Sequence, residues 1–230
     1  MDEQCSHFFA FYRERIRYVE EYLLESELIE GLILMCCYLD ALSGYRYGGS
    51  SSYERFRRFL MEHSEVPEIW SRVDLPGLNQ SITDEEHVLR EELCAALRGL
   101  GMQTFGFHDL DYDVDVSYEV LAEKLSETLN ATQVESLEKD LRRFEYVSIL
   151  WREYRNNSVH ETSSKKKKAF NLSDKSVPFH SVISVPIGEG QRQEYVWFHI
   201  PHVFILETLK NAVDSFSRKV EAGECTIQGL

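Results

Sequence analysis

The chain has 230 residues, of which 43% are hydrophobic and 12% aromatic, enough to bury a sizeable core. Its formal net charge of −14 argues against a broad surface for coating nucleic acid, which needs clustered Lys and Arg, but leaves room for a small basic site. The five cysteines (Cys5, Cys36, Cys37, Cys94, Cys225) form no C-x-x-C pair and read as reduced thiols of a cytoplasmic protein.

The opening MDEQCSHFF lacks the basic start and apolar stretch of a signal peptide. Phe8, Phe9, Tyr12, Ile16, Val19, Leu23 and Leu24 recur at helical steps and predict a first helix. A second is predicted over 25–42, stopping at Ser43-Gly44. Its apolar run, Gly31 to Leu42, contains Asp40 and falls short of the roughly 20 residues a membrane span needs, so no membrane association is expected. Ser50-Ser51-Ser52 offers an N-cap for a helix over 53–63.

Pro67, Pro76 and Gly77 make 64–83 read as a loop with one short turn. Thr83-Asp84-Glu85-Glu86 fits a capping box opening a helix to about residue 97, ended by Gly99 and Gly101. The alternating acids DLDYDVDV invite a calcium reading. An EF-hand started at Asp109 would need Gly where Val114 stands and Glu where Val120 stands, so a solvated acidic loop is expected. Helices are predicted at 118–129 and 133–156.

Residues 161–177 are polar and lysine-rich and read as a flexible loop. FHSVISVPIGEGQRQEYVWFHI then gives two β-rich runs joined by Gly188-Glu189-Gly190, a hairpin pattern. From 202 to 220 Val203, Leu206, Leu209, Val213 and Phe216 form a helical stripe. The expected fold is an all-α antiparallel helical bundle, one domain over 1–230, with residues 161–200 forming a lysine loop plus β-hairpin inserted before the C-terminal helix.

An arginine followed by four to six residues and a histidine is weak by spacing alone. With 16 Arg and 8 His, chance supplies roughly two such matches, and the chain has four. Arg57 and Arg58 point away from the apolar face that carries His63. Arg192 and His199 lie in a strand run and face opposite sides. Arg155 differs. The stripe Val134, Leu137, Leu141, Phe144, Trp151 extends through Ser148 onto it, placing a charge where packing prefers leucine. Such a charge needs a partner or a cleft. A regular helix would put His160 about 140° away. Convergence requires the helix to end near Asn156-Asn157-Ser158, residues that favour local turns.

YRNNSVH resembles the motif of the HEPN superfamily (higher eukaryotes and prokaryotes nucleotide-binding domain): Arg155, polar Asn156, then His160 after a long core helix. CYLDALSGYRYG…SSYERFRRFL is similar to the second helix and following segment of uncharacterised bacterial members. The resemblance implies a metal-independent endoribonuclease, a toxin or phage-defence effector, working without cofactor as a homodimer whose motifs share one cleft. His160 would be general base or acid, Arg155 would hold the phosphate, and Asn156 would orient either. The product would carry a 2′,3′-cyclic phosphate. The alternative within the family is a non-catalytic dimerisation, nucleotide-binding or partner-binding module.

Where toxin members paired with a nucleotidyltransferase carry a Tyr two residues after the His, this chain has Thr162, which disfavours an antitoxin of that kind. Another antitoxin or regulatory partner stays open. Lys165, Lys166, Lys167 and Lys168 are candidates to attract RNA phosphates, against a plain solvated loop. Asp40 is a charge inside an apolar helix that can meet Arg155, as a catalytic helper or as a structural pair. Tyr45 and Arg46 are weaker additions. No His, Cys or carboxylate spacing matches a metal site.

Overall fold

A computed structural model describes residues 3–49, 51–84, 89–100, 110–156, 175–188 and 191–229. These residues are mostly helical and group into two compact units. Unit 1 comprises Met1–Trp70, Val147–Ser176 and Pro201–Leu230; unit 2 comprises Ser71–Tyr146 and Val177–Ile200.

Unit 1 opens with α1 (Glu3–Tyr18), which continues into a π-helical turn over Val19–Leu23. Helix α2 (Leu28–Tyr47) runs past the stop expected at Ser43-Gly44. The Ser43 hydroxyl folds back onto the Asp40 carbonyl at 2.7 Å and does not break the helix. Termination comes at Gly48, whose φ of 60° needs no Cβ and whose N–H reaches the Gly44 carbonyl. At 20 residues α2 is long and apolar enough, by length and composition, to cross a membrane. In the fold Leu32, Met35, Cys36, Leu39 and Leu42 of this helix are buried core residues.

Helix α3 (Ser52–His63) starts where the serine run predicts, with the Ser51 hydroxyl accepting from the Glu54 N–H. Its apolar face meets α2 and the C-terminal helix α10 (His202–Glu221). At the centre Phe216 packs edge-on against Phe9 and Phe59, with centroids 5.4 and 5.8 Å away. Burying each of these rings contributes about 2–3 kcal/mol. A short helix α4 (Pro67–Trp70) closes the first stretch of this unit.

Unit 2 corrects three expectations. The stretch read as a loop holds strand β1 (Arg72–Val73) and helix α5 (Leu75–Asp84). Pro76 and Gly77 fall in the first turn, where proline's missing N–H costs nothing, and Asp74 caps that turn by accepting from Gly77 N at 2.7 Å. Helix α6 runs from Arg90 to Gly99; Thr83 and Asp84 of the expected capping box belong to α5, and Glu85 and Glu86 lie outside the described residues. In the acidic segment Asp109 and the residues before it lie outside the described residues; beyond them β2 (Leu110–Asp111) and β3 (Val116–Ser117) flank a 3₁₀ turn, Asp113 is exposed, and Asp115 is buried where a solvated loop was expected.

Helix α7 (Tyr118–Ser126) follows, then α8 (Ala131–Arg142), opened by a capping box between Asn130 and Gln133. The predicted 133–156 helix is not continuous. It breaks at Arg143–Glu145, where Glu145 bridges to Val73, and resumes as α9 (Tyr146–Ile149) and a π-helical stretch, Leu150–Asn156. Val73, Leu75, Leu78, Leu93, Leu97, Leu121, Leu125, Leu137 and Leu141 form the apolar core.

The predicted hairpin is present as β4 (Phe179–Gly188) and β5 (Gln191–His199), antiparallel from Phe179↔His199 to Gly188↔Gln191. The register shifts between Pro186 and Gly188, where proline could not donate to the ladder. β2 adds to β4, giving a three-stranded sheet, while β1 and β3 form a separate two-stranded one.

Candidate functional site

Arg155 lies in the π-helical stretch that follows α9, in unit 1. A π turn widens the helix by one residue and re-aims the side chains that follow it. Its guanidinium donates from Nη2 to Asp40 Oδ2 of α2 at 2.8 Å, and lies 4.6 Å above the Trp151 ring. Trp151 in turn packs on Phe56 of α3 with centroids 5.0 Å apart. Tyr53 and Ser148 are joined by a hydrogen bond between their hydroxyls.

The arginine expected on the apolar stripe is therefore accommodated by a carboxylate and an aromatic face. The side chains are 25% and 16% exposed, so neither charge is fully desolvated. Asp40 Oδ1 is buried and has no hydrogen-bond partner among the described residues. Cys36 and Cys37 lie within the field of this pair. Burial pushes both thiols up, and nearby Arg155 opposes the shift without cancelling it, so neither is a thiolate nucleophile at neutral pH.

The other candidates separate. Arg46 does not join Arg155; it donates to Glu62 Oε1 at 2.9 Å. Glu62 also accepts from the Tyr47 hydroxyl at 2.6 Å and sits 3.4 Å from Lys219 Nζ. Tyr45 packs edge-on against Phe8, 5.0 Å between centroids. Asn156 ends the π stretch. His160 and Lys165 to Lys168 lie outside the described residues.

Of the arginine–histidine pairs set aside on sequence grounds, His63, Arg58 and His199 have structural partners of their own. His63 is buried between Phe59 and Phe216, with Nδ1 3.4 Å from Ser215 Oγ, and burial pushes its pKa down to about 4. The Arg58 guanidinium lies 4.5 Å from the Tyr47 ring centroid. His199 shares a 2.6 Å hydrogen bond with Ser181 Oγ.

Unit 2 holds a polar group that no sequence motif announces. Asp74, Asp115 and His180 offer ligand-type atoms within 4.8 Å of one another, all buried. Hydrogen bonds account for this arrangement. His180 Nε2 is 3.0 Å from Asp74 Oδ1 and 3.4 Å from Asp115 Oδ2, hydrogen-bonding distances for a ring that carries its proton on that nitrogen. Asp115 also accepts from Leu75 N at 2.9 Å and from the Tyr146 hydroxyl. The available signal was Asp74 directly before Leu75-Pro76-Gly77, a helix-entry pattern.

No family model, curated protein or solved structure matches this chain.

Proposed function

We propose that the protein is a HEPN-type, metal-independent endoribonuclease with Arg155 and His160 as its working pair. The observation carrying this reading is Arg155 itself: a cation set among aromatic and apolar side chains, held by Asp40 and Trp151, five residues before His160. A guanidinium held at a fixed place suits a phosphate, because its planar fork matches two phosphate oxygens.

In the proposed reaction the RNA 2′-OH attacks the adjacent phosphorus. The O2′–P bond forms and the P–O5′ bond breaks. One face of the phosphate is served by a base that takes the 2′ proton, and the departing 5′ oxygen takes a proton in return. A histidine suits either transfer, and that role is assigned to His160. Arg155 offsets the charge that builds on the phosphoryl oxygens, and Asn156 orients phosphate or imidazole. RNA supplies its own nucleophile, so the scheme requires no metal-bound water. Incubation of purified protein with RNA in EDTA should yield 2′,3′-cyclic phosphate and 5′-hydroxyl ends. Intact RNA, or cleavage only after divalent metal is restored, contradicts the proposal.

One observation favours a second reading, a non-catalytic module of the same superfamily. The Arg155 charge is already matched by Asp40 at 2.8 Å, so a phosphate must compete with a carboxylate for it. On that reading RNA is bound or ignored, but never cut.

A further inference from the structure

Four side chains from four separate stretches of unit 2 converge on one buried point. Asp74 stands at the corner between β1 and α5, Asp115 just before β3, Tyr146 at the start of α9, and His180 on β4. His180 Nε2 lies between the two carboxylates, 3.0 Å from Asp74 and 3.4 Å from Asp115. Two buried carboxylates this close cannot both ionise without cost, and one is favoured to keep a proton.

We propose that Asp74, Asp115 and His180 form a proton-held latch, in which a proton retained by this buried trio fastens β4 to the β1–α5 corner and to Asp115, and loss of that proton loosens the hairpin.

The neighbours define where the proton resides. Arg72 of β1 donates to the Asp115 backbone carbonyl. Tyr146 donates its hydroxyl to Asp115, and its proton is held far above neutral pH by burial and by that carboxylate. Glu145 is buried but pairs with Arg142 at 2.6 Å. On β5 the residue opposite His180 is Phe198, so His199 falls on the other face of the hairpin. On β2 it is Leu110 that aligns with His180. His180 Nδ1 is buried with no partner among the described residues. A second proton on the ring would leave an N–H unsatisfied there. The trio thus shares its labile proton: an unsatisfied Nδ1–H opposes full protonation of the ring, and Asp115 is the more deeply buried of the two carboxylates.

The pH dependence follows. Burial, then the Asp74 charge, push Asp115 up to about 7, while His180 and its hydrogen bonds oppose this. Burial lowers His180, but the Asp74 hydrogen bond and both carboxylate charges outweigh it and raise that pKa as well. A carboxyl whose folded pKa is raised holds its proton more tightly when folded. Its contribution is complete below the unfolded value near 4 and is lost as pH rises through about 7. The raised histidine acts in the same direction. The latch holds in acid and slackens above neutrality. This holds whether or not Arg155 and His160 cut RNA.

Hydrogen exchange on the full chain, corrected for intrinsic rates, tests it. Between about pH 6 and pH 8.5 the amides of 72–84 and 177–185 should lose about tenfold in protection. Asp115→Asn, which mimics the protonated carboxyl, should remove that difference. Equal wild-type protection at both pH values, or an undiminished slope in the variant, overturns the latch. If Asp115→Asn does not fold, ¹³C NMR titration of the wild-type aspartate carboxyls decides. A carboxyl midpoint near neutrality supports the proposal, and midpoints near 4 for all of them refute it.

Discussion

Arg155 of the π-helical stretch and Asp40 of α2 meet at 2.8 Å although 115 residues separate them in sequence. Both are charges in segments whose buried residues are mostly apolar: Trp151 beside one, Leu39 and Cys36 beside the other. Each explains the presence of the other. The same contact ties the segment that leads to His160 to the core helix of unit 1.

The pair is partly exposed, so its coupling should be moderate. A double-mutant cycle with Asp40→Asn and Arg155→Met, followed by urea denaturation, should give a coupling of about 1–2 kcal/mol, between that of a surface pair and that of a buried one. Additive single effects would mean that the contact has no energetic role.

The buried His63 makes unit 1 sensitive to acid. Its pKa is lowered, chiefly by burial, to about 4. A lowered histidine contributes stability that is complete above about 6.5 and is lost as pH falls towards 4, on the order of 3 kcal/mol in full. The NMR midpoint of the His63 ring should lie near 4. His63→Leu should flatten the loss of exchange protection in α3 and α10 over that window. A midpoint near 6.5 would refute the assignment. The trend is opposite to that of Asp115 in unit 2, so a global melting curve would blend the two.

A side chain at Gly77 would displace the Asp74 cap. A Cβ there would fall 2.1 Å from Asp74 Oδ2 and 2.7 Å from its Cγ, forcing the capping carboxylate away from the α5 entry and from His180. Gly77→Ala should cost about 1–3 kcal/mol, read by denaturation. A neutral or stabilising effect would show that Asp74 relaxes freely.

Much of unit 1 was legible. The Ser51 cap, the α3 and α10 stripes and the possible meeting of Asp40 with Arg155 all follow from local periodicity or from a charge out of place, as does the hairpin of unit 2. Unit 2 was harder for physical reasons. Pro76 and Gly77 read as breakers because their tolerance in a first helical turn depends on the Asp74 cap. Asp115 read as solvated because its partners, Leu75, Tyr146 and His180, lie 31 to 65 residues away. The break at Arg143–Glu145 was invisible because Phe144 keeps the apolar stripe in phase across it. The π-helical widening around Arg155 likewise leaves no mark in a 3.6-residue pattern.

If the lysine run serves RNA, its effect is electrostatic and therefore salt-dependent. Replacing Lys165, Lys166, Lys167 and Lys168 with Ala should weaken binding to single-stranded RNA. The slope of log affinity against log salt should fall by about 0.7 for each phosphate that the lysines neutralise. An unchanged slope assigns the run to a solvated loop.

The proposed cleavage rests on Arg155 and His160, and ribonuclease assays of their alanine variants decide it. Wild type, Arg155→Ala and His160→Ala are compared on the same RNA in EDTA, with circular dichroism confirming that each is folded. The wild type should cleave, and both folded variants should lose at least about a hundredfold in rate, the scale expected when an acid–base or charge-stabilising group is removed. Variants that cut as fast as the wild type would contradict the assignment of this pair.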